Sequence, residues 1–405
     1  MHGGSYLTAR EVAEALGVSV ATVYAYVSRG LLHSEPSGAG DRSRRYLADD
    51  VRKLRERKEY RRDPSRAAGR AMDWGMPILE TALTQIVETG PRYRGRDAAE
   101  LARAHTIEQV AALLWTGDME DCGTIFHGGN RPIRTYREEV GRLGLDLPPL
   151  HRAHLALALA SAEDLAGYDL DLQGDAIART GARILRLMAA VVADEGDPCR
   201  PIAPALLEGW GLSRVRTSHL LDAALILCAD HELAASSFTA RVVASAGAQL
   251  HLVVMAALAA LQGFRHGGNT GHVEALLREI GEPGAARRVV AERLRRGAAL
   301  PGFGHPLYPA GDPRASALLD LTAETDPDSP ALALSRAVAA TVQEVTGRSP
   351  NVDFALVTLV RTLGLPPGSA LTLFALGRTV GWIAHAIEQY RQGQLLRPRA
   401  VYRGP

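Results

Sequence analysis

Residues 369–390 read SALTLFALGRTVGWIAHAIEQY. Apolar side chains return every three or four positions, the period of a helix with a buried face, and no proline interrupts them. Residues 98–114, 155–165 and 177–191 carry the same period. Runs that alternate apolar with polar residues are scarce. From about residue 72 onward the chain is therefore predicted to form a large all-α body. Gly90-Pro91, Asp197-Pro198, Asp312-Pro313 and Pro366-Pro367 punctuate it as turns. Composition agrees: aromatics are only 5%, so the core must be built from Leu, Ala and Val. The 405 residues correspond to two to three domains at about 150 residues each. With 46% apolar and 22% charged side chains, this is a core-forming globule and not a disordered tail.

Cys122, Cys199 and Cys228 are odd in number and show no CxxC spacing. This argues against a disulfide scaffold or a zinc site and fits a reducing cytoplasm. The first ten residues, MHGGSYLTAR, hold no apolar signal core. No charged side chain falls between Arg241 and Arg265, which is long enough for a membrane span. Ser245, Gly247, Gln249, His251 and Gln262 lie within it, however, so one long helix buried inside the body is expected there.

The net charge of +1 conceals an asymmetry. Residues 1–71 hold 14 basic and 9 acidic side chains, and the rest hold 32 and 36. All basic residues except Lys53 and Lys58 are arginine, as coding bias alone would produce. In the basic head, Thr8 and Glu11 have capping-box spacing, and Gly17 ends the helix they start. Ser19 then caps a second helix from Val20 to Arg29, stopped by Gly30. Two short helices joined at Gly17-Val18-Ser19 form a helix-turn-helix. A Gly/Ser-rich turn at 36–40, the segment RSRRY (42–46) and a third helix from about Asp49 follow. This order, with LTAREVAEALGVSVATVYAYVSRGLL and RRYLADDVRKL, resembles the winged helix-turn-helix of MerR-type regulators and excisionases. The resemblance implies a second helix in a DNA major groove, with Ser19, Ala21, Thr22, Tyr24 and Tyr26 near the bases. Arg42, Arg44 and Arg45 would touch phosphates from the wing. A helical protein-docking module is the alternative use of the same fold. Residues 59–71 (EYRRDPSRAAGRA) are expected to be the linker.

The body shows no GxGxxG and no GxxxxGK[ST], so no nucleotide phosphate loop is indicated. The tripeptide HGG occurs at His2, His127 and His266. Of the three, only His266 follows an apolar helix that would hold it rigidly. Asp230-His231-Glu232 lies in an apolar stretch, where three ionisable groups are costly without partners. Pro301-Gly302-Phe303-Gly304-His305 is a Gly/Pro loop carrying a histidine, with Arg314 nine positions on. Asn351-Val352-Asp353 opens a strongly apolar helix; a carboxylate there suits the helix dipole, and a plain N-cap explains it equally well.

In order, His231, His266, His305, Arg314, Asp353, Arg378 and Arg397 resemble the citrate synthase family. The matching segments are RYRGRDAAELA (92–102), LLWTG (113–117), ADHELAASSFTARVVAS (229–245), GFRHGG (263–268), PGFGHPLYPAGDPRA (301–315), NVDFAL (351–356), GRTVGWIAHAIEQ (377–389) and RPRAVYRGP (397–405). No HxxxH or HxH spacing supports a rival metal site. The resemblance implies a mostly α body whose large domain is 72–266 and 356–405, with a small closing domain at 267–355. It implies condensation of acetyl-CoA with oxaloacetate, without metal or cofactor. Asp353 would be the base, His266 the donor to the thioester oxygen, and His305 the acid at the ketone. His231, Arg314, Arg378 and Arg397 would hold the oxaloacetate dianion. Arg397 would come from a partner subunit, which makes the protein at least a homodimer.

Several positions depart from the family pattern. Pro306 and Pro309 stand where common members have Arg and Lys, Phe264-Arg265 replaces Pro-Leu, and Ala234 replaces Asn or Gly. The coenzyme A contacts are thus altered while the oxaloacetate set is complete. A citrate synthase fused to a DNA-binding head is expected. The alternatives are a 2-methylcitrate synthase using propionyl-CoA, a non-catalytic ligand sensor regulating transcription, and a bare structural paralogue.

Overall fold

The structure is a computed structural model. It describes residues 6–28, 32–36, 44–47, 50–51, 79–128, 131–164, 175–193, 200–212, 217–400, 402 and 404. The chain forms two compact units, 1–80 and 81–405.

In the first unit, β1 (Tyr6–Thr8) leads into α1 (Ala9–Leu16) and α2 (Val20–Ser28), followed by β2 (Ser34–Pro36) and β3 (Arg44–Leu47). The capping box forms as expected: Thr8 accepts from Glu11 N, and the Glu11 carboxylate returns to Thr8 N. Gly17 closes α1 at φ 59, a left-handed geometry that glycine adopts without strain. Ser19 Oγ accepts from Thr22 N at 3.2 Å. β3 is the middle strand, antiparallel to β1 and to β2. A small core of Val12, Leu16, Val23, Leu32, Tyr46 and Val51 closes the unit. Asp50 and Val51 are helical, as expected for a third helix; its remainder and the expected linker lie outside the described residues.

The second unit starts with a sheet that the helical periodicity did not predict. β4 (Thr84–Val87), β5 (Gly90–Tyr93) and β6 (Arg96–Asp97) form an antiparallel meander. Its second turn places Arg94 at φ 45, unusual for a residue other than glycine. The Arg94 guanidinium holds that turn down by donating to Leu114 O at 2.9 Å.

Sixteen helices follow among the described residues. They are α3 (Ala98–Ala104), α4 (Ile107–Trp115), α5 (Cys122–Ile125), α6 (Arg131–Arg142), α7 (Pro149–Glu163), α8 (Ala176–Val192), α9 (Ile202–Gly209), α10 (Ser218–Cys228), α11 (Ala235–Ser245), α12 (Leu250–Leu261), α13 (Asn269–Ile280), α14 (Ala286–Arg295), α15 (Pro313–Thr325), α16 (Pro330–Thr346), α17 (Val352–Leu363) and α18 (Ser369–Gln392).

Two expected single helices are broken. The 98–114 stretch splits at His105-Thr106, because Thr106 and Gln109 make a capping box and buried Asp222 accepts from Ile107 N at 2.9 Å. The uncharged 241–265 stretch spans α11 and α12, parted by a turn with Gly247 at φ 77. A side-chain acceptor at an amide restarts a helix even where the apolar period runs through.

The opening helix α18 is long and apolar enough to cross a membrane, yet 94% of its apolar window is buried in the body. It packs on α10 with almost no gap. A Cβ at Gly377 would sit 2.4 Å from Leu225 O, and one at Gly381 2.3 Å from Ala229 O. Only glycine permits that approach, and Arg378 is carried between these two contacts.

Candidate active site

The buried end of α10, the segment 229–232 and the middle of α18 supply the site's floor. Arg378 is buried, donates Nε–H to Cys228 O at 2.8 Å, and lies 4.9 Å from the Phe374 ring centroid. Asp230 is fully buried and faces His385 at 3.2 Å. Burial alone would raise its pKa, but His385 and Arg378 outweigh that and hold it below the ordinary value. Glu232 sits at φ 52 and accepts from Ile86 N at 3.3 Å. Asp230 and Glu232 thus each have a partner.

The loop before α15 forms the second wall. His231 Nε2 lies 2.9 Å from Tyr308 Oη. The His231 and His305 rings meet edge to face at 5.2 Å, and His305 lies 5.0 Å from the Tyr308 ring. Leu307 N donates to His305 Nδ1 at 3.2 Å. That nitrogen is therefore an acceptor, and neutral His305 carries its proton on Nε2. Arg314 is buried and held by Asp312 in a fork, Nε to Oδ1 at 3.0 Å and Nη2 to Oδ2 at 2.8 Å. Asp312 also accepts from Arg314 N and from Val352 N, at 3.1 and 3.0 Å. One carboxylate thereby caps α15, aims Arg314 and anchors the start of α17.

The third wall is where α13 meets α17. Asn351 is the N-cap of α17, accepting from Asp353 N and Phe354 N. The capping role expected as one explanation of Asp353 thus falls to Asn351, and the Asp353 side chain is left for other work. Its Oδ2 accepts from Asn269 Nδ2 at 2.6 Å. His266 lies in the turn between α12 and α13, with Nε2 2.8 Å from Ser236 Oγ. Its ring meets Phe374 edge-on at 6.4 Å.

Electrostatics join the three walls. Burial, reinforced by Arg378, lowers the His266 pKa to about 4. Burial and then Arg314 lower that of His305 to about 4. His231 is pushed well below its ordinary value by burial and by both arginines. All three imidazoles are neutral donors and acceptors at pH 7. Burial raises the Asp353 pKa, while Asn269, Arg314 and Arg378 restrain the rise. The site therefore brings together two guanidinium groups, neutral imidazoles and one carboxylate of raised basicity. That combination is suited to holding an anion and to taking up a proton beside it.

Arg397 is the sequence-predicted residue that does not join. It lies in exposed coil after α18, and none of the site contacts above includes it. His127 is exposed, and His2 lies outside the described residues. Ser236, Asn269, Tyr308 and the Asp312 carboxylate belong to the site but were not singled out from the sequence. Tyr308 had a local signal, three positions after His305 in the same loop; the pairings of Ser236 and Asn269 had none. Among the described residues, no group of three metal-ligating side chains occurs.

In the first unit, Tyr24 is the prominent exposed aromatic of α2, at 54%. Thr22 Oγ1 lies 2.9 Å from Ser19 Oγ. Arg44 donates to Ser34 O at 3.1 Å, and Arg45 lies 3.4 Å from Glu35 and 4.2 Å from the Tyr6 ring centroid. These two arginines are engaged within the hairpin. Arg42 lies outside the described residues.

The helical body thus gathers buried arginines, histidines held neutral and an aspartate of raised pKa at one place. The family model "Citrate synthase, C-terminal domain" matches residues 71–399, and a "Helix-turn-helix domain" model matches residues 6–59. The chain belongs to the citrate synthase family and carries a helix-turn-helix head. "Citrate synthase 2" of Bacillus subtilis is 38% identical over 364 residues, covering 82% of this chain and 95% of the relative. A "2-methylcitrate synthase" of Mycobacterium tuberculosis is 29% identical over 357 residues, covering 82% and 89%. A solved citrate synthase from Thermoplasma acidophilum, in a ternary complex with carboxymethyl coenzyme A and oxaloacetate, superimposes with a TM-score of 0.69. It is 25% identical, and the match covers 82% of this chain and 94% of that one.

Proposed function

We propose that the body condenses acetyl-CoA with oxaloacetate to give citrate and free coenzyme A. The observation that carries this is that Arg314 and Arg378 lie close enough to His231, His266, His305 and Asp353 to shift their protonation. The arginines and His231 would hold the two oxaloacetate carboxylates. Asp353 would take a proton from the acyl methyl group. The ordinary thioester is a weak acid, so the enol oxygen needs a donor as it forms. In the tautomer whose Nε2 accepts from Ser236, neutral His266 would keep Nδ1–H for that task. The enol carbon attacks the ketone, a C–C bond forms, and the alkoxide takes the proton of His305 Nε2–H. Water then cleaves the thioester C–S bond and releases the thiol.

The expected small domain, about 267–355, would close over the substrates and exclude water until the last step. Exposed Arg397 fits a role across a homodimer interface, completing the partner's oxaloacetate site. No cofactor enters this scheme. Cytoplasmic location accords with the two described cysteines, both free. The helix-turn-helix supports DNA as a second partner, with Tyr24 exposed on α2.

A thiol-release assay with oxaloacetate and either acetyl-CoA or propionyl-CoA tests the reading. Release with acetyl-CoA is expected, and Asp353→Ala should abolish it. No release with either acyl donor rejects catalysis and leaves a ligand sensor. A preference for propionyl-CoA converts the assignment to 2-methylcitrate synthesis; one methylene is worth about 1–3 kcal/mol of discrimination.

A further inference from the structure

We propose that Asn269 is the positioning residue for the Asp353 carboxylate, holding one oxygen so that the other faces the acyl substrate. The inference rests on the proposed role of Asp353 as base and deepens it.

Asn269 is the first residue of α13, and Gly268 before it makes no side-chain cap. A side chain there has free amides of its own helix within reach. Instead the amide crosses to α17, 84 positions later, and donates Nδ2–H to Asp353 Oδ2 at 2.6 Å. That distance is short, as for a bond to a charged acceptor, and it favours the ionised form of the carboxylate that receives it. The bond does two things. It locks rotation of the carboxylate about its last torsion, which is otherwise broad. It also favours the anion against burial, which raises the Asp353 pKa; the Asn269 bond is the leading influence in the opposite direction.

The placement couples two catalytic groups. Asn269 is three residues after His266, on the same turn leading into α13. One short segment thus sets both the donor to the thioester oxygen and the hold on the base. A shift of that segment would move base and enol stabiliser together, and reactions of this kind depend on sub-ångström placement. Thr270 Oγ1 bonds Gly267 O at 3.3 Å and ties the turn to itself.

The experiment compares Asn269→Ala and the near-isosteric Asn269→Asp with wild type in the full-length chain. Readouts are kcat, the KM for oxaloacetate, the pH profile of kcat/KM with the acyl-CoA, and Tm. Loss of the bond should lower kcat about 10- to 100-fold with little change in KM, as expected for one hydrogen bond to a charged group. The acid limb of the profile should move up by about one pH unit in Asn269→Ala, and further in Asn269→Asp, where a second carboxylate faces the first. A merely structural role at the start of α13 would lower Tm and kcat and leave that limb in place. An unmoved limb in both variants, with an active wild type, overturns the positioning role alone. An inactive wild type overturns the underlying assignment of catalysis instead.

Discussion

Replacing Asp312 by asparagine removes the charge that holds Arg314 in place. Asp312 is 2% exposed, and Arg314 is 3% exposed. The two form a buried fork with both hydrogen bonds at 3.0 Å or less. Asparagine keeps the size and the N-cap at α15, because its side-chain oxygen caps as well as that of aspartate. It cannot accept twice from a guanidinium, and it leaves Arg314 charged and unpaired. Breaking one partner of a buried pair costs about 3–5 kcal/mol. At roughly 2 °C per kcal/mol for a domain of this size, Tm should fall by about 6–10 °C. The freed guanidinium also loses its aim, so the KM for oxaloacetate should rise about 10- to 100-fold, the worth of a charged hydrogen bond. Differential scanning calorimetry and thiol release at varied oxaloacetate measure both. The acid response supplies a sign check. Burial raises the Asp312 pKa, but Arg314 outweighs it and the net position is below 3.8. The stability due to the pair is therefore present above about pH 4 and lost as pH falls through the folded pKa; the asparagine variant should lack that acid component. Unchanged Tm together with unchanged KM would refute the fork as the organiser of Arg314.

Three further outcomes follow from the described contacts. His251 is 1% exposed, and burial lowers its pKa to about 4 despite Asp164, so its neutral form stabilises the fold above pH 6.5 and that stability is lost as pH falls toward 4. Urea unfolding should show about 2 kcal/mol less His251-linked loss between pH 7 and pH 5 in His251→Asn than in wild type; equal losses would refute the assignment. Oxaloacetate should raise the His305 pKa above about 4, because a dianion cancels the repulsion from Arg314 that adds to burial; a histidine NMR titration with and without ligand reads this, and an unmoved resonance refutes the proposed dianion contact. In gel shifts with the full chain at several salt concentrations, Tyr24→Ala should weaken DNA binding more than Arg45→Ala, since Arg45 is engaged by Glu35 and Tyr6; the reverse order would restore the wing arginine as the main contact.

Local chemistry made much of the fold legible. Thr8 and Glu11, Gly17 and Ser19 each act within four residues, so their spacing alone announces the turns they make. Helical period identified the opening stretch 369–390 as a core element. Periodicity failed where a distant atom intervened. The local Thr106–Gln109 capping box breaks the 98–114 period, but the acceptance from Ile107 by Asp222 that fixes it, and the reach of Arg94 to Leu114 that folds the β4–β6 meander, come from afar. Neither reach has a local signature.

The site divides in the same way. The order of His231, His266, His305, Arg314, Asp353 and Arg378 pointed to the residues, because each sits in its own short motif. Tertiary structure alone decided their state and aim. Asn351, not Asp353, caps α17; Asn269 meets Asp353 across 84 positions, and Tyr308 meets His231 across 77. The neutral form of all three histidines follows from burial and from two arginines delivered by separate helices. Residue type and local spacing determined which groups this protein brings to its chemistry. Packing determined their protonation and orientation, because both depend on the low dielectric and on partners that only the folded chain puts within a few ångströms.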